Sequence, residues 1–386
     1  MNGGSAPPGA LAGVRVADFS RVLAGPYATM MLADLGADVM KVERPGSGDE
    51  TRAWVPPVDD AGTSTYFLGV NRNKRSVTLD LADPADLAAA RALAEDCDVL
   101  VENFRPGTMD RLGLGYERLR ERNPGLVYCS ISGFGPGGGA AIPGYDLLVQ
   151  AVGGLMSVTG EPDGPPLKAG VALVDVITGL HAGLGILAAL RHRDACGEGQ
   201  RVEVNLLSSL LSAMVNQASG YAVAGAVPGR LGNAHPSIAP YETFATADRP
   251  IALAVGNDRQ FAELVTALEL PALADDPRFR TNPDRVANRT RLRELLDTRL
   301  RTAGADHWSA LLLARGVPAG PVNGLDEAFA FAADLGLSPI MEVSGSRQVA
   351  NPISLSATPA TYRMPPPALG EHTLHPVTSK DRNDLR

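Results

Sequence analysis

The sequence predicts an α/β protein with a buried parallel sheet and a second, smaller, more polar domain. Three observations carry this. Short apolar strands alternate with helical segments through the first half. At 386 residues the chain exceeds what one hydrophobic core usually serves. Near Arg230 the pattern changes to short strands and charged helices.

The elements follow in order. Residues 14–18 (VRVAD) have the pattern of a strand. Residues 26–35 form a helix with Pro26 at its first position, and Gly36 stops it. Residues 38–43 (DVMKVE) give the next strand. Asp83 and Pro84 are an N-cap and first-turn proline, opening an alanine-rich helix that leads into a strand over 98–103. Residues 126–132 (LVYCSIS) form another strand. Strands separated by helices of this length make βαβ units. A strand at 202–204 and an apolar helix from Leu206 to about Ala224 close the region. Beyond it, strands at 241–244 and 251–255 precede charged helices over 258–268, 289–301 and 306–315. From Asn351, repeated prolines exclude regular helix and predict an extended arm.

Hydrophobic content of 45% and charged content of 20% are those of a folded globular chain. A net charge of -8 and 5% aromatic residues oppose nucleic-acid or anionic-membrane binding. Three scattered cysteines make neither a disulfide framework nor a zinc site, and Cys97 and Cys129 read as small core residues. No metal site is expected. The small, Gly/Pro-rich start over 1–10 reads as a disordered tail on a cytoplasmic protein. Residues 171–190 have membrane-spanning length, but Asp175, His181 and three glycines within them favour a buried helix of an α/β domain.

GFGPGG at 133–138 matches a dinucleotide fingerprint formally, yet Pro136 removes a donor and no acidic residue ends a following strand. It reads as a glycine loop. The clusters NRNKR at 71–75 and NFRPG at 103–107 flank strands, and the second lies where α/β sheets bind ligands. Their cations suit phosphates and Phe104 suits an adenine slot; a solvated loop is the alternative for each. Asp175 is the only acid in an apolar run from Gly170 to Leu190. Two readings stand: an N-cap for a helix beginning at Val176, or a desolvated carboxylate nucleophile.

The chain resembles the class III CoA-transferases. The resemblance runs from Leu11 to His375 and rests on segments including LAGVRVADFSRVLAGPYATMMLADLGADVMKVERPGSGDETR, NKRSVTLDL, VENFRPGTMDRLGLGY, VDVITGLHA, LGNAHPSIAPYETF and AVGNDRQF. It implies a Rossmann-like large domain formed by both chain ends, with an inserted smaller α+β domain and an interlocked homodimer. The large domain is expected over 11–225, the small one over 226–335, and the returning arm over 336–386. The implied activity moves coenzyme A from an acyl-CoA donor to a carboxylic acid through a covalent intermediate on Asp175. Leu23, Ala24, Arg44, Lys74, Arg75, Asn103, Phe104, Arg105, Arg111, Gly144, Tyr145 and Asp146 match the coenzyme A region. His235, Tyr241, Gly256 and Asn257 are candidates for substrate positioning, with packing as the alternative for His235 and Tyr241.

Two departures narrow the chemistry. Leu23 stands where formyl-CoA transferases carry glutamine, and Ala254–Asp258 where they carry a glycine run, which opposes formyl-CoA and oxalate as substrates. Tyr145 stands where α-methylacyl-CoA racemases carry histidine, and tyrosine is a poor acid–base partner at neutral pH. Transfer between small dicarboxylates such as succinate is therefore expected. A racemase-like isomerase and an inactive CoA-binding homologue are the alternatives.

Overall fold

The computed structural model describes residues 9–373. The expected tail falls outside the described residues over 1–8, as does the end of the arm over 374–386. The chain divides into two compact units. One comprises residues up to Gly153, Ala169–Gly225 and from Ser338 onward; the other comprises Gly154–Lys168 and Ala226–Leu337. Residues 154–168, assigned from sequence to the large domain, thus go with the second unit.

The first unit is built on a six-stranded sheet in the order β3-β2-β1-β4-β5-β6. Its strands are β1 (Arg15–Asp18), β2 (Asp38–Glu43), β3 (Lys74–Thr78), β4 (Val99–Glu102), β5 (Val127–Ser132) and β6 (Arg201–Asn205). Every pairing is parallel, with Val16 opposite both Val39 and Val99. β4 is buried along its whole length, as a strand covered on both faces must be. The order reverses between β1 and β4, so the loops leaving these two strands open the crevice where such sheets take ligands. Helix α1 (Ala24–Asp34) links β1 to β2 and packs along the long helix Leu173–Cys196.

That long helix corrects two expectations. It starts at Leu173, so Asp175 lies in its first turn and is not its N-cap. It is not a buried helix either: Leu180, Leu184 and Leu187 are exposed on one face. It is long and apolar enough to cross a membrane, and less than half of its apolar stretch is buried within the chain. The apolar stretch after β6 breaks at Met214 into helices Leu206–Ala213 and Val215–Ala224, with Val215 at positive φ. Cys97 and Cys129 are buried, as expected of core residues. Near the chain's end, β10 (Ile340–Val343) and β11 (Ser346–Val349) form a hairpin, and residues 351–368 carry no helix or strand.

The second unit holds an antiparallel sheet of β7 (Tyr241–Phe244), β8 (Ile251–Ala254) and β9 (Ala319–Pro321). Its core gathers Phe244, Ile251, Phe261, Phe279, Leu296 and Trp308.

Candidate active site

Asp175 sits at a helix start whose cap comes from elsewhere. Ala172, at the N-cap position, offers no side-chain acceptor. The Asp146 carboxylate fills that role, with one oxygen accepting the N–H groups of Val174 and Asp175 at 2.8 and 3.2 Å. Its other oxygen accepts from Gln150 Nε2 at 2.5 Å, and Gln150, wholly buried, accepts the Ala169 N–H at 2.8 Å. Burial, followed by the Asp146 charge, pushes the Asp175 carboxyl up to about 7. Asp146 is therefore a capping and electrostatic partner of Asp175.

Tyr66 was not singled out from the sequence, although it follows closely on the ERPGSGDETR segment. Burial, then the nearby charges of Asp175, Asp146 and Asp49, push its phenol up to about 12, so it remains a donor at neutral pH. Its ring meets Trp54 edge-on at 5.1 Å. The two aromatics, with Val55, Pro56, Pro57 and Thr65, line a crevice of about 320 Å³.

The two switch-point loops are tied to each other. Asn103 accepts the Arg21 N–H at 2.9 Å and donates to the Arg21 carbonyl at 2.7 Å. Phe104 is partly buried under the Arg21 guanidinium, 5.2 Å from its ring centre. The Phe104 N–H is held at 2.9 Å by Glu102, whose own carboxyl burial pushes up to about 7. Leu23 and Ala24, both buried, begin α1. The Ala24 carbonyl lies 2.6 Å from where a Cβ on Gly179 would stand, one turn along the helix from Asp175. Arg44 and Arg105 are exposed and form no ion pair among the described residues; exposed Arg111 donates to Thr108 Oγ1. Gly144 packs backbone to backbone against Gly133 of the glycine loop, where a Cβ would stand 2.6 Å from the Gly133 Cα. Tyr145 follows and is 61% exposed.

Lys74 and Arg75 do not join this group. Lys74 is fully buried, and its ammonium donates to Asp18 at 3.1 Å, the Pro26 carbonyl at 2.9 Å and Asn71 at 3.0 Å. All three donors are taken, which leaves none for a phosphate. Burial, opposed by Asp18, brings its pKa down to about 8. Arg75 pairs across the sheet with Asp38. Neighbouring Arg72 and Asn73 bind Asp34 and reach the Val349 and Thr361 carbonyls of the returning arm. The 71–75 cluster is thus a clamp within the fold.

In the second unit, the structure brings together His235 with Tyr241 and Gly256 with Asn257. The His235 and Tyr241 rings lie 5.3 Å apart, and the His235 N–H donates to the Tyr241 carbonyl at 3.0 Å. His235 Nδ1 accepts the Ser237 N–H at 3.1 Å, which places the proton of a neutral ring on Nε2. Asn257 caps helix Asp258–Ala267 by accepting the Gln260 N–H, and the Gln260 side chain accepts the Gly256 N–H at 2.9 Å. The register Tyr241↔Ala254 puts both pairs at one end of the β7–β8 ladder.

Comparison with known proteins gives the family. The profile of CoA-transferase family III matches residues 11–373. Succinate–glutarate CoA-transferase of Agrobacterium fabrum is 44% identical over 380 residues, 95% of this chain and 94% of its own length. Human succinyl-CoA:glutarate CoA-transferase is 42% identical over 383 residues, 97% of this chain and 87% of its own. The crystal structure of a CAIB/BAIF family protein from Brucella suis has a TM-score of 0.87 and 41% identity, and the match covers 98% of this chain and all of that one. The chain belongs to CoA-transferase family III.

Proposed function

We propose that this chain moves coenzyme A between small dicarboxylic acids through a covalent intermediate on Asp175. The observation that carries the reading is the Asp175 carboxyl itself: partly buried, on the first turn of a helix beside the switch-point loops, and poised near neutrality. An Asp175 oxygen attacks the thioester carbonyl carbon and the C–S bond breaks, expelling CoA thiolate and leaving a mixed anhydride. The thiolate attacks the aspartyl carbonyl, releases the donor as its carboxylate and leaves an aspartyl–CoA thioester. The acceptor carboxylate attacks that thioester and again displaces thiolate. The thiolate then attacks the acceptor carbonyl and returns the Asp175 carboxylate. A CoA held throughout supplies its thiolate at high effective concentration.

The partly buried Phe104, with exposed Arg44, Arg105 and Arg111, supports a CoA site on the loops after β2 and β4. Leu23–Ala24 and Gly144–Tyr145 would border its thiol end. His235, Tyr241, Gly256 and Asn257 would position the acids. Dicarboxylates rest on the names of the relatives, among them a succinyl-CoA:mesaconate CoA-transferase of Haloarcula hispanica that is 45% identical over 331 residues. A homodimer in the cytoplasm, without membrane or nucleic-acid partners, completes the reading. The dimer's support is the exposed apolar side chains of Leu180, Leu184 and Leu187 on one helix, with exposed Leu147, Leu148 and Leu211 on the helices packed against it. Sedimentation at micromolar concentration tests the dimer, and a monomer there would refute it.

The central test is mass spectrometry after incubation with succinyl-CoA and trapping with hydroxylamine or borohydride. An adduct on Asp175, absent from Asp175→Ala, supports the reading. No adduct across a broad acyl-CoA panel, with CoA still bound, overturns it. The test would then pass to α-proton exchange, the mark of racemase-like action.

A further inference from the structure

Val22 is a β-branched residue at φ 70, the left-handed region that such side chains avoid. It sits two residues before Ala24, in the loop that joins β1 to α1. Conformations of this kind persist only where the surroundings over-determine them, and here they do. The Ser20 N–H donates to Asp18 at 3.0 Å, and the Ser20 carbonyl accepts from Lys41 Nζ at 2.9 Å. Asn103 holds both the N–H and the carbonyl of Arg21. The Val22 N–H donates to both oxygens of Asp49 at 3.2 Å. Asp49 is fixed in turn by Lys41 at 2.8 Å and by the N–H and hydroxyl of Thr51. Side chains from β1, β2, the turn after β2 and the loop after β4 thus converge on the main chain of three consecutive residues.

Lys41 and Asp49 are fully buried. A buried ion pair is weak evidence for stability, because desolvation offsets most of the attraction. What this pair does show is direction: Lys41 donates to the Ser20 carbonyl and Asp49 accepts the Val22 N–H, so the pair grips the backbone on either side of Arg21. The segment so held continues into Leu23 and Ala24, and the Ala24 carbonyl meets the helix of Asp175 at Gly179.

We propose that Asp49, held by Lys41, is a positioning residue for the transfer reaction. It locks Val22 in the left-handed conformation and so keeps Leu23–Ala24 seated against the helix that carries Asp175. The inference rests on the reading of Asp175 as the nucleophile and of Leu23–Ala24 as a border of the CoA thiol.

The test is the single-turnover rate of adduct formation on Asp175 from succinyl-CoA, measured beside CoA affinity and melting temperature. Asp49→Asn removes the charge that holds Lys41 and loosens the hold on the Val22 N–H, so it should slow adduct formation by roughly 10- to 100-fold, with CoA affinity changed by no more than about threefold. Glycine takes positive φ without strain and keeps the N–H that Asp49 accepts, so Val22→Gly is expected to melt no earlier than wild type. Because glycine needs no lock to hold this conformation, the double variant Val22→Gly/Asp49→Asn should recover most of the rate lost in Asp49→Asn, and Val22→Asn/Asp49→Asn should recover part of it. An unslowed Asp49→Asn, or a loss that neither second substitution reduces, would overturn the proposal. The two failures separate cleanly. No adduct on wild-type Asp175 overturns the transfer reading and this proposal with it, whereas a wild-type adduct with unaffected variants overturns this proposal alone.

Discussion

The carboxylate of Asp146 accepts the N–H groups of Val174 and Asp175, so one acid caps the helix whose first turn carries the other. The two carboxylates therefore have unlike environments. Asp146 is compensated by three N–H donors, whereas Asp175 receives its neighbour's repulsion on top of its own burial. A helix start alone would favour the ionised form. Burial and Asp146 outweigh it, and Asp175 ends up poised near neutral pH.

The first prediction concerns rate against pH. An anionic nucleophile must lose its proton before it attacks. With the Asp175 carboxyl pushed up to about 7, kcat/KM for acyl-CoA should rise with pH and level off just above 7. A limb centred near pH 4 would show that the carboxyl is not desolvated in solution.

The same shift has a cost in stability. The native pKa lies above the unfolded one, so between about pH 4 and 7 the native chain keeps a proton that the unfolded chain has lost. Stability from this group therefore falls as pH rises across that window and is level above it. Asp175→Asn should abolish transfer yet stabilise the protein by about 1–3 kcal/mol at pH 8, with the gain fading toward pH 4. Urea denaturation at several pH values reads this directly.

Asp146 can be divided into its two roles. Asp146→Asn keeps an oxygen for the helix N–H groups but removes the charge. It should move the pH–rate limb to lower pH by less than a unit, since burial remains the larger cause. Asp146→Ala removes the cap as well and should cost about 1 kcal/mol more in stability. Equal pH profiles for wild type and Asp146→Asn would remove Asp146 from the electrostatics.

The sheet and the lone acid of the candidate site were legible in the sequence, for identifiable reasons. The parallel sheet follows from strand–helix alternation, and Asp175 stands out as a lone acid in an apolar run. The cap was not legible, because Asp146 lies 29 residues from Asp175 and only the fold joins them. The role of Lys74 was missed because a cation beside a strand reads as a loop cation. Parallel pairing instead turns it inward onto Asp18 at the end of β1. The face of Leu180, Leu184 and Leu187 was read as core because apolar composition marks a surface that avoids water without saying what covers it.

Lys74 and Arg105 make the contrast testable. Arg105→Ala, on the exposed loop after β4, should raise KM for acyl-CoA about tenfold and leave kcat nearly unchanged. Lys74→Met removes an ionic partner of wholly buried Asp18 and should destabilise the chain by about 3–5 kcal/mol. A folded Lys74→Met enzyme with weakened CoA affinity alone would return Lys74 to the binding site.

Gly179 sets local propensity against packing. Alanine favours a helix over glycine by about 1 kcal/mol, so propensity alone predicts that Gly179→Ala stabilises. The added Cβ would lie 2.6 Å from the Ala24 carbonyl and 3.3 Å from the Tyr27 ring, and a backbone oxygen cannot swing away as a side chain can. Relief requires α1 and the helix of Asp175 to part. That shift should cost about 1–3 kcal/mol net and carry Leu23–Ala24 away from Asp175. Activity should therefore fall more than stability does, by roughly tenfold or more in kcat. A stable, fully active Gly179→Ala enzyme would mean that the close seating of α1 on this helix is not needed for the reaction.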